Sequence, residues 1–190
     1  MKRILIITVA ILALGISSCT KSSDNNTTGG IYNKQLNLSY TVIVPTQLYG
    51  FSLLDDTTLA ASDKIYLYLV TNSFYLTGTF SQELAYTAGT NAERILKVYA
   101  TDEVISSANT WDDGNSGIIT WGYRLSGGNI DGNVTPGTGD KYIGVRLTLS
   151  DNETHYGWVR LNYSSNGKTV NIVEYAYNKT ANASIKAGEK

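Results

Sequence analysis

Apolar residues in this chain recur with a period of two, and no long stretch repeats at helical spacing. The runs "NLSYTVIV" (37–44), "KIYLYLV" (64–70), "RILKVYA" (94–100) and "GIITWGYRL" (117–125) alternate in this way, the pattern of strands with one face buried. Segments rich in turn residues separate them, such as "DDTTLAASD", "TAGTNAE", "WDDGNSG" and "SGGNIDGNVTPGTGD". Shorter runs between them, "YGFSLL" and "FYLTGTF", supply further strands. With 14 tyrosines, many β-branched residues and only 2 prolines (Pro45 and Pro136), the composition suits pleated, half-buried surfaces. Only "SQELAYTA" (81–88) offers a helical turn or two, with Ser81 as its cap. The expected fold is all-β: an antiparallel β-sandwich, for which a jelly-roll is one arrangement, ending in a three-stranded meander.

That meander is the most explicit part of the sequence. In "YIGVRLTLS", Ile143, Val145, Leu147 and Leu149 share one face; in "HYGWVRLNY", Val159, Leu161 and Tyr163 do. Joining odd to odd positions requires an odd-numbered loop. A three-residue turn of Asp151, Asn152 and Glu153 sets Val145 opposite Val159 and Ile143 opposite Leu161, with Arg146 opposite Trp158 on the other face. The next turn is marked by Asn166-Gly167, the pair favoured in a two-residue type I′ hairpin. It sets Leu161 opposite Ile172 and Tyr163 opposite Val170. Past Ile172 the alternation fails, since Glu174 would enter the core opposite Val159. A bulge or strand end is therefore expected near Val173.

The N-terminus is of another kind. Lys2 and Arg3 precede an apolar run of 11 residues, Ile4 to Leu14. That is short of the roughly 20 residues a membrane-spanning helix needs and has the make-up of a secretory signal peptide. Small Ser17 and Ser18 then precede Cys19, the single cysteine. "ISSC" resembles the lipobox of bacterial lipoproteins, which implies cleavage before Cys19 and lipid on its thiol. Three acyl chains exceed the two signals that stable anchoring requires. Residues 1–18 are thus expected to be a signal peptide. Residues 19–30 ("CTKSSDNNTTGG") form a lipidated, polar tether reaching roughly 15–20 Å from the membrane, and residues 31–190 one domain. A lone cysteine also excludes an internal disulfide.

The C-terminal third carries a second resemblance. "YIGVRLTLSDNETHYGWVRLNY" followed by "VEYAYNKTANASIKAG" is similar to a pattern at the C-terminus of many exported bacterial proteins. The pattern implies a secreted β-domain and no particular activity. With the lipobox it resembles an envelope lipoprotein of the Bacteroidota type, anchored in the outer membrane at its surface or periplasmic face.

Charge and motifs narrow the function. Without Lys2 and Arg3 the chain has 13 basic and 16 acidic residues, a formal charge of −3, and no basic run. That excludes the clustered cations of nucleic-acid binding. His155 is the single histidine; with no second histidine and no free thiol it builds no ordinary zinc site. It reads as a rim residue of the sheet. No phosphate loop or nucleophile elbow is present. Asp112, Asp113 and Asn115 in "WDDGNSG" offer oxygen ligands for Ca²⁺, although Asp, Asn and Gly are equally the residues of tight turns.

Aromatic residues are the remaining resource. In "KIYLYLV", Tyr66 and Tyr68 oppose Ile65, Leu67 and Leu69, so an aliphatic core face implies an aromatic outer one. Rigid aromatic faces suit sugars and apolar ligands. Tyr66, Tyr68 and Trp111, beside the Asp-Gly loop, are the candidate binding residues. The expected function is a non-enzymatic binding or surface-interaction module with a glycan as first ligand. Two alternatives stand beside it: a carbohydrate-active hydrolase using loop carboxylates between residues 112 and 140, or a structural subunit of an envelope protein complex. A flat aromatic strip distinguishes the binder from the hydrolase, which needs two converging carboxylates. Cys19→Ser is expected to abolish incorporation of a palmitate analogue, since no other thiol exists; label retained by the variant would remove the lipid anchor.

Overall fold

The computed structural model describes residues 30–43, 46–53, 64–70, 73–79, 81–89, 93–112, 120–126 and 129–190. The expected signal peptide, Cys19 and the expected tether up to residue 29 lie outside the described residues. The elements form two large sheets and one small one. The first sheet runs β1 (Ile31–Thr41), β14 (Thr169–Asn178), β13 (Thr154–Tyr163), β12 (Lys141–Thr148), β5 (Gln82–Leu84), with β8 (Val98–Tyr99) also on β12. The second runs β2 (Thr46–Phe51), β3 (Ile65–Val70), β4 (Ser73–Thr77), β10 (Thr120–Ser126), β7 (Arg94–Leu96), β6 (Tyr86–Ala88), with β11 (Asn129–Asp131) also on β10. A short pair joins β9 (Val104–Ile105) to β15 (Ile185–Lys186). Pairing is antiparallel except between β10 and β7.

Period-two alternation builds the sandwich. Ile65, Leu67, Leu69, Phe74 and Leu76 from the second sheet meet Val145, Leu147, Val159, Leu161 and Ile172 from the first, all at 0% exposure. Each such side chain stabilises the fold by about 1.5–3 kcal/mol through burial. A second core lies on the far side of the first sheet. There the segment around β9 and the C-terminal segment with β15 cover Trp158, Tyr156 and Ala176 with Ile105, Ile185 and Ala187. Trp158 is wholly buried and donates its indole N–H to Glu189 O at 3.2 Å. "GWVRL" is therefore sheet packed on both faces.

The meander β12–β13–β14 forms as expected, with two shifts of detail. The first hairpin sets Ile143 opposite Val159, Val145 opposite Gly157 and Arg146 opposite Tyr156, two positions from the expected register. Its three-residue loop is Ser150, Asp151 and Asn152, not Asp151 to Glu153: Asn152 N–H donates to Leu149 O at 2.9 Å. The last loop residue must be left-handed, and Asn152 takes that place at φ 61°, as Asn does more readily than Glu. An even shift leaves every side chain on its expected face.

The second hairpin has the expected register, Leu161 opposite Ile172 and Tyr163 opposite Val170. Its turn is not the two-residue type I′ form. Gly167 N–H donates to Ser164 O at 2.9 Å, and of the Asn-Gly pair only Gly167 has positive φ, 63°. Asn166 instead uses its carboxamide oxygen locally, accepting from Lys168 N–H at 2.9 Å and from the Ser164 hydroxyl at 2.6 Å. Such side-chain turns compete with the left-handed alternative.

Two upstream expectations change. Residues 81–88 hold no helical turn. Gln82 and Leu84 are both at 0% exposure, and β5 pairs with the edge of β12. Gln82 is fixed there by accepting Leu53 N–H at 2.9 Å. "RILKVYA" is two strands, because the chain crosses from one sheet to the other at Lys97, whose N–H donates to Ala85 O at 3.1 Å. Gly167→Val is expected to lower unfolding free energy by more than about 1 kcal/mol, since a β-branched residue resists positive φ. Denaturant titration checks this; an unchanged midpoint would contradict the turn.

Candidate functional site

The second sheet carries a line of aromatic residues on its outer face. In β3 the aliphatic residues point inward, so Tyr66 and Tyr68 point outward and are half-buried. In β4 Phe74 and Leu76 point inward and Tyr75 outward. In β10 Thr120 and Tyr123 point inward, with Trp121 outward before an irregularity at Gly122. Gly122 is required there because a Cβ would lie 2.1 Å from the Phe74 ring. Strand pairing then aligns Leu48, Tyr68, Tyr75, Trp121 and Ile95 in one row crossing five strands.

The rings hold one another in place. Tyr68 and Tyr75 stack at 4.5 Å between centroids with planes 14° apart, and Trp121 meets Tyr75 edge-on at 5.0 Å and 69°. Arg124 sits with Cζ 5.1 Å from the Trp121 ring, a cation–π contact, and its guanidinium is fixed by Glu93 at 2.6 Å. Leu48 extends the row and is 50% exposed. Burial, and secondarily the neighbouring Tyr68, pushes the Tyr75 hydroxyl above its usual value.

Trp111 is not in this row. It bridges Ala85 and packs its ring 5.7 Å from buried Tyr156, with Arg146 Cζ 5.6 Å away, beside the second core. Asp112 points inward at 2% exposure and accepts Leu84 N–H at 2.8 Å. It ties the segment that follows β9 to β5. Asp113 and Asn115 lie outside the described residues. Among the described residues no three His, Cys, Asp or Glu side chains converge as a metal site.

His155 is 1% exposed. Its Nδ1 lies 2.9 Å from Asn178 O and its Nε2 3.1 Å from Asp151 Oδ2. Both ring nitrogens are engaged, which leaves neither for a substrate. The Glu153 N–H is the main cause holding the Asp151 carboxyl below its usual range, with His155 assisting. Glu174, the acidic residue read inside a strand, is also buried and is engaged by Arg160, Lys190 and Gln35.

Comparison of the chain with family models, curated proteins and solved structures finds no match. The site therefore rests on its own geometry. Leu48, Tyr75 and Trp121 are the members of the platform that sequence reading did not single out. Tyr75 and Trp121 occupy outward positions of runs legible as strands, but their alignment depends on β4 pairing with β10.

Burial raises the Asp112 carboxyl from 3.8 to about 6; the Leu84 N–H pulls it back, Glu83 raises it further and Arg94 lowers it. A raised folded-state value means that folding favours the protonated acid. Stability from this group is full below about pH 4 and is lost as pH rises through 6, by on the order of 3 kcal/mol. Asp112→Asn keeps an acceptor for Leu84 N–H without the charge. Its melting temperature is expected to exceed wild type at pH 8 and to converge with it at pH 4. A variant less stable at pH 8 would mean that the Leu84 and Gly78 N–H groups and the Arg94 attraction together outweigh desolvation.

Proposed function

We propose that the protein is a lipid-anchored envelope lipoprotein whose sandwich is a non-enzymatic binding module, with the row Leu48–Tyr68–Tyr75–Trp121 as a glycan platform. The observation that carries this is the row itself: Tyr68, Tyr75 and Trp121, half-buried and in mutual ring contact, aligned with exposed Leu48 across four neighbouring strands of one sheet. Apolar faces of sugar rings pack on aromatic side chains, and mutual stacking of Tyr68, Tyr75 and Trp121 leaves little rotamer freedom to lose on binding. The lipobox-like "ISSC" supports the anchor. The pattern in the C-terminal meander supports export.

The hydrolase reading finds less support, because Asp112 faces the interior and both nitrogens of His155 are engaged. A protein partner is the second reading. Ile43 at 79% and Leu48 at 50% exposure put aliphatic surface near the same edge, as interaction patches do.

A glycan array followed by titration of any hit tests the platform. Trp121→Ala and Tyr68→Ala are each expected to weaken binding by about 1–3 kcal/mol, the usual size of hot-spot truncations. Trp111→Ala is expected to lower stability and leave the affinity of the folded protein unchanged. Loss of affinity in Trp111→Ala alone would displace the platform. Sugar released on overnight incubation would favour the hydrolase, and a blank array the protein partner.

A further inference from the structure

The outer face of the first sheet has a different chemistry, and we infer that it is a second, independent carbohydrate site, selective for an uncharged chain rich in hydroxyl oxygens. Where the C-terminal segment does not cover this face, one lateral row crosses three strands at Ser39, Asn171 and Asn162 and ends on Asp140, just before β12. Their side chains are hydrogen-bonded in series and in one direction. The Ser39 hydroxyl donates to Asn171 Oδ1, Asn171 Nδ2 donates to Asn162 Oδ1 at 2.7 Å, and Asn162 Nδ2 donates to Asp140 Oδ1 at 2.7 Å.

The end of the ladder is anchored. Arg160 Nη1 donates to Asp140 Oδ2 at 2.6 Å. Arg160 Nε lies 2.9 Å from Glu174 Oε1, close enough for an ion pair though angled away from a hydrogen bond. Lys190 Nζ adds a second cation 2.8 Å from Glu174 Oε2. Two carboxylates thus balance two cations, so the face selects neither anions nor cations. Asn is a poor strand former, and here two of them face each other on neighbouring strands. Each carboxamide is locked by its neighbours and keeps one N–H beyond those that the ladder uses. The result is an array of fixed donors at the strand spacing of about 4.8 Å, and donors held in place bind acceptors at low entropic cost.

A cleft adjoins the row. Leu36 and Asn37 of β1 lie opposite the single Val173 of β14, and Asn37 is left-handed at φ 49°. This bulge opens a cleft of about 250 Å³ lined by Asn37, Leu38, Ser39, Asn171, Ile172 and Val173. It is smaller than the roughly 300–1,000 Å³ of drug-sized pockets and suits one sugar ring, with the next units lying along the ladder.

The test is an NMR titration of the mature full chain carrying Cys19→Ser, using cellohexaose, maltohexaose and mannohexaose as probes. Side-chain NH₂ signals of Asn162 and Asn171 report this site, and the Trp121 indole N–H reports the platform on the opposite sheet. The inference expects saturable movement of both Asn signals with at least one probe. It also expects at least tenfold weaker movement in Asn171→Ala and no change in Trp121→Ala. Because truncating Asn171 breaks the ladder at its centre, Asn162→Ala is titrated as a second variant with its melting temperature recorded. Movement of the Trp121 signal alone would overturn the second site and leave the platform standing. Movement of the Asn signals that vanishes in Trp121→Ala would overturn their independence. No movement with any probe would overturn the second site.

Discussion

One extra residue in β14 decides what the first sheet can be. Leu161 pairs with Ile172 and Arg160 with Glu174, so Val173 is left without a partner on β13. Without that bulge, Glu174 would point between the sheets, where an unpaired carboxylate costs several kcal/mol. With it, Glu174 turns to the outer face while Tyr175 turns inward at 1% exposure. Glu174 is itself only 1% exposed, and its burial is tolerable because Arg160, Lys190 and Gln35 surround it. The same carboxylate holds Lys190 beside Trp158, whose indole N–H meets Glu189 O. Closure of the second core thus depends on a break in strict alternation.

The two outer faces follow from the same parity rule with different residues. On the second sheet the outward positions of β3, β4 and β10 are Tyr68, Tyr75 and Trp121, giving an apolar strip. On the first sheet the outward positions of β1, β14 and β13 are Ser39, Asn171 and Asn162, giving a donor array. Neither face is fluid. Ring stacking fixes one and serial hydrogen bonds fix the other, so both are preorganised. Both candidate surfaces are built mainly from strand residues.

The C-terminal meander was the most legible region, because alternation, loop length and turn residues constrained one another there. The bulge near Val173 could be read from Glu174 alone. The two-position shift in the first hairpin could not, since shifting by two preserves both faces; only the demand for a left-handed Asn152 separates the registers. Upstream, "SQELAYTA" carries too few residues to distinguish a turn of helix from an edge strand, and its pairing with β12 decides. Tyr66 and Tyr68 were legible as outward residues. Trp121 and Tyr75 were not linked to them, because the pairing of β4 with β10 joins segments more than 40 residues apart. Trp111 drew notice for its neighbouring Asp-Gly loop, yet its ring packs on Tyr156 beside the second core.

The central claim is that ligand covers the aromatic strip. Hydroxyl-radical footprinting of the protein saturated with its best-binding glycan addresses this directly, since oxidation of each aromatic residue falls when a ligand shields it. Binding at the strip predicts a several-fold loss of oxidation at Tyr68, Tyr75 and Trp121, with Trp111 and Trp158 unchanged. Protection centred on Trp111, or a saturated complex in which Tyr68, Tyr75 and Trp121 oxidise as in the free protein, would contradict it.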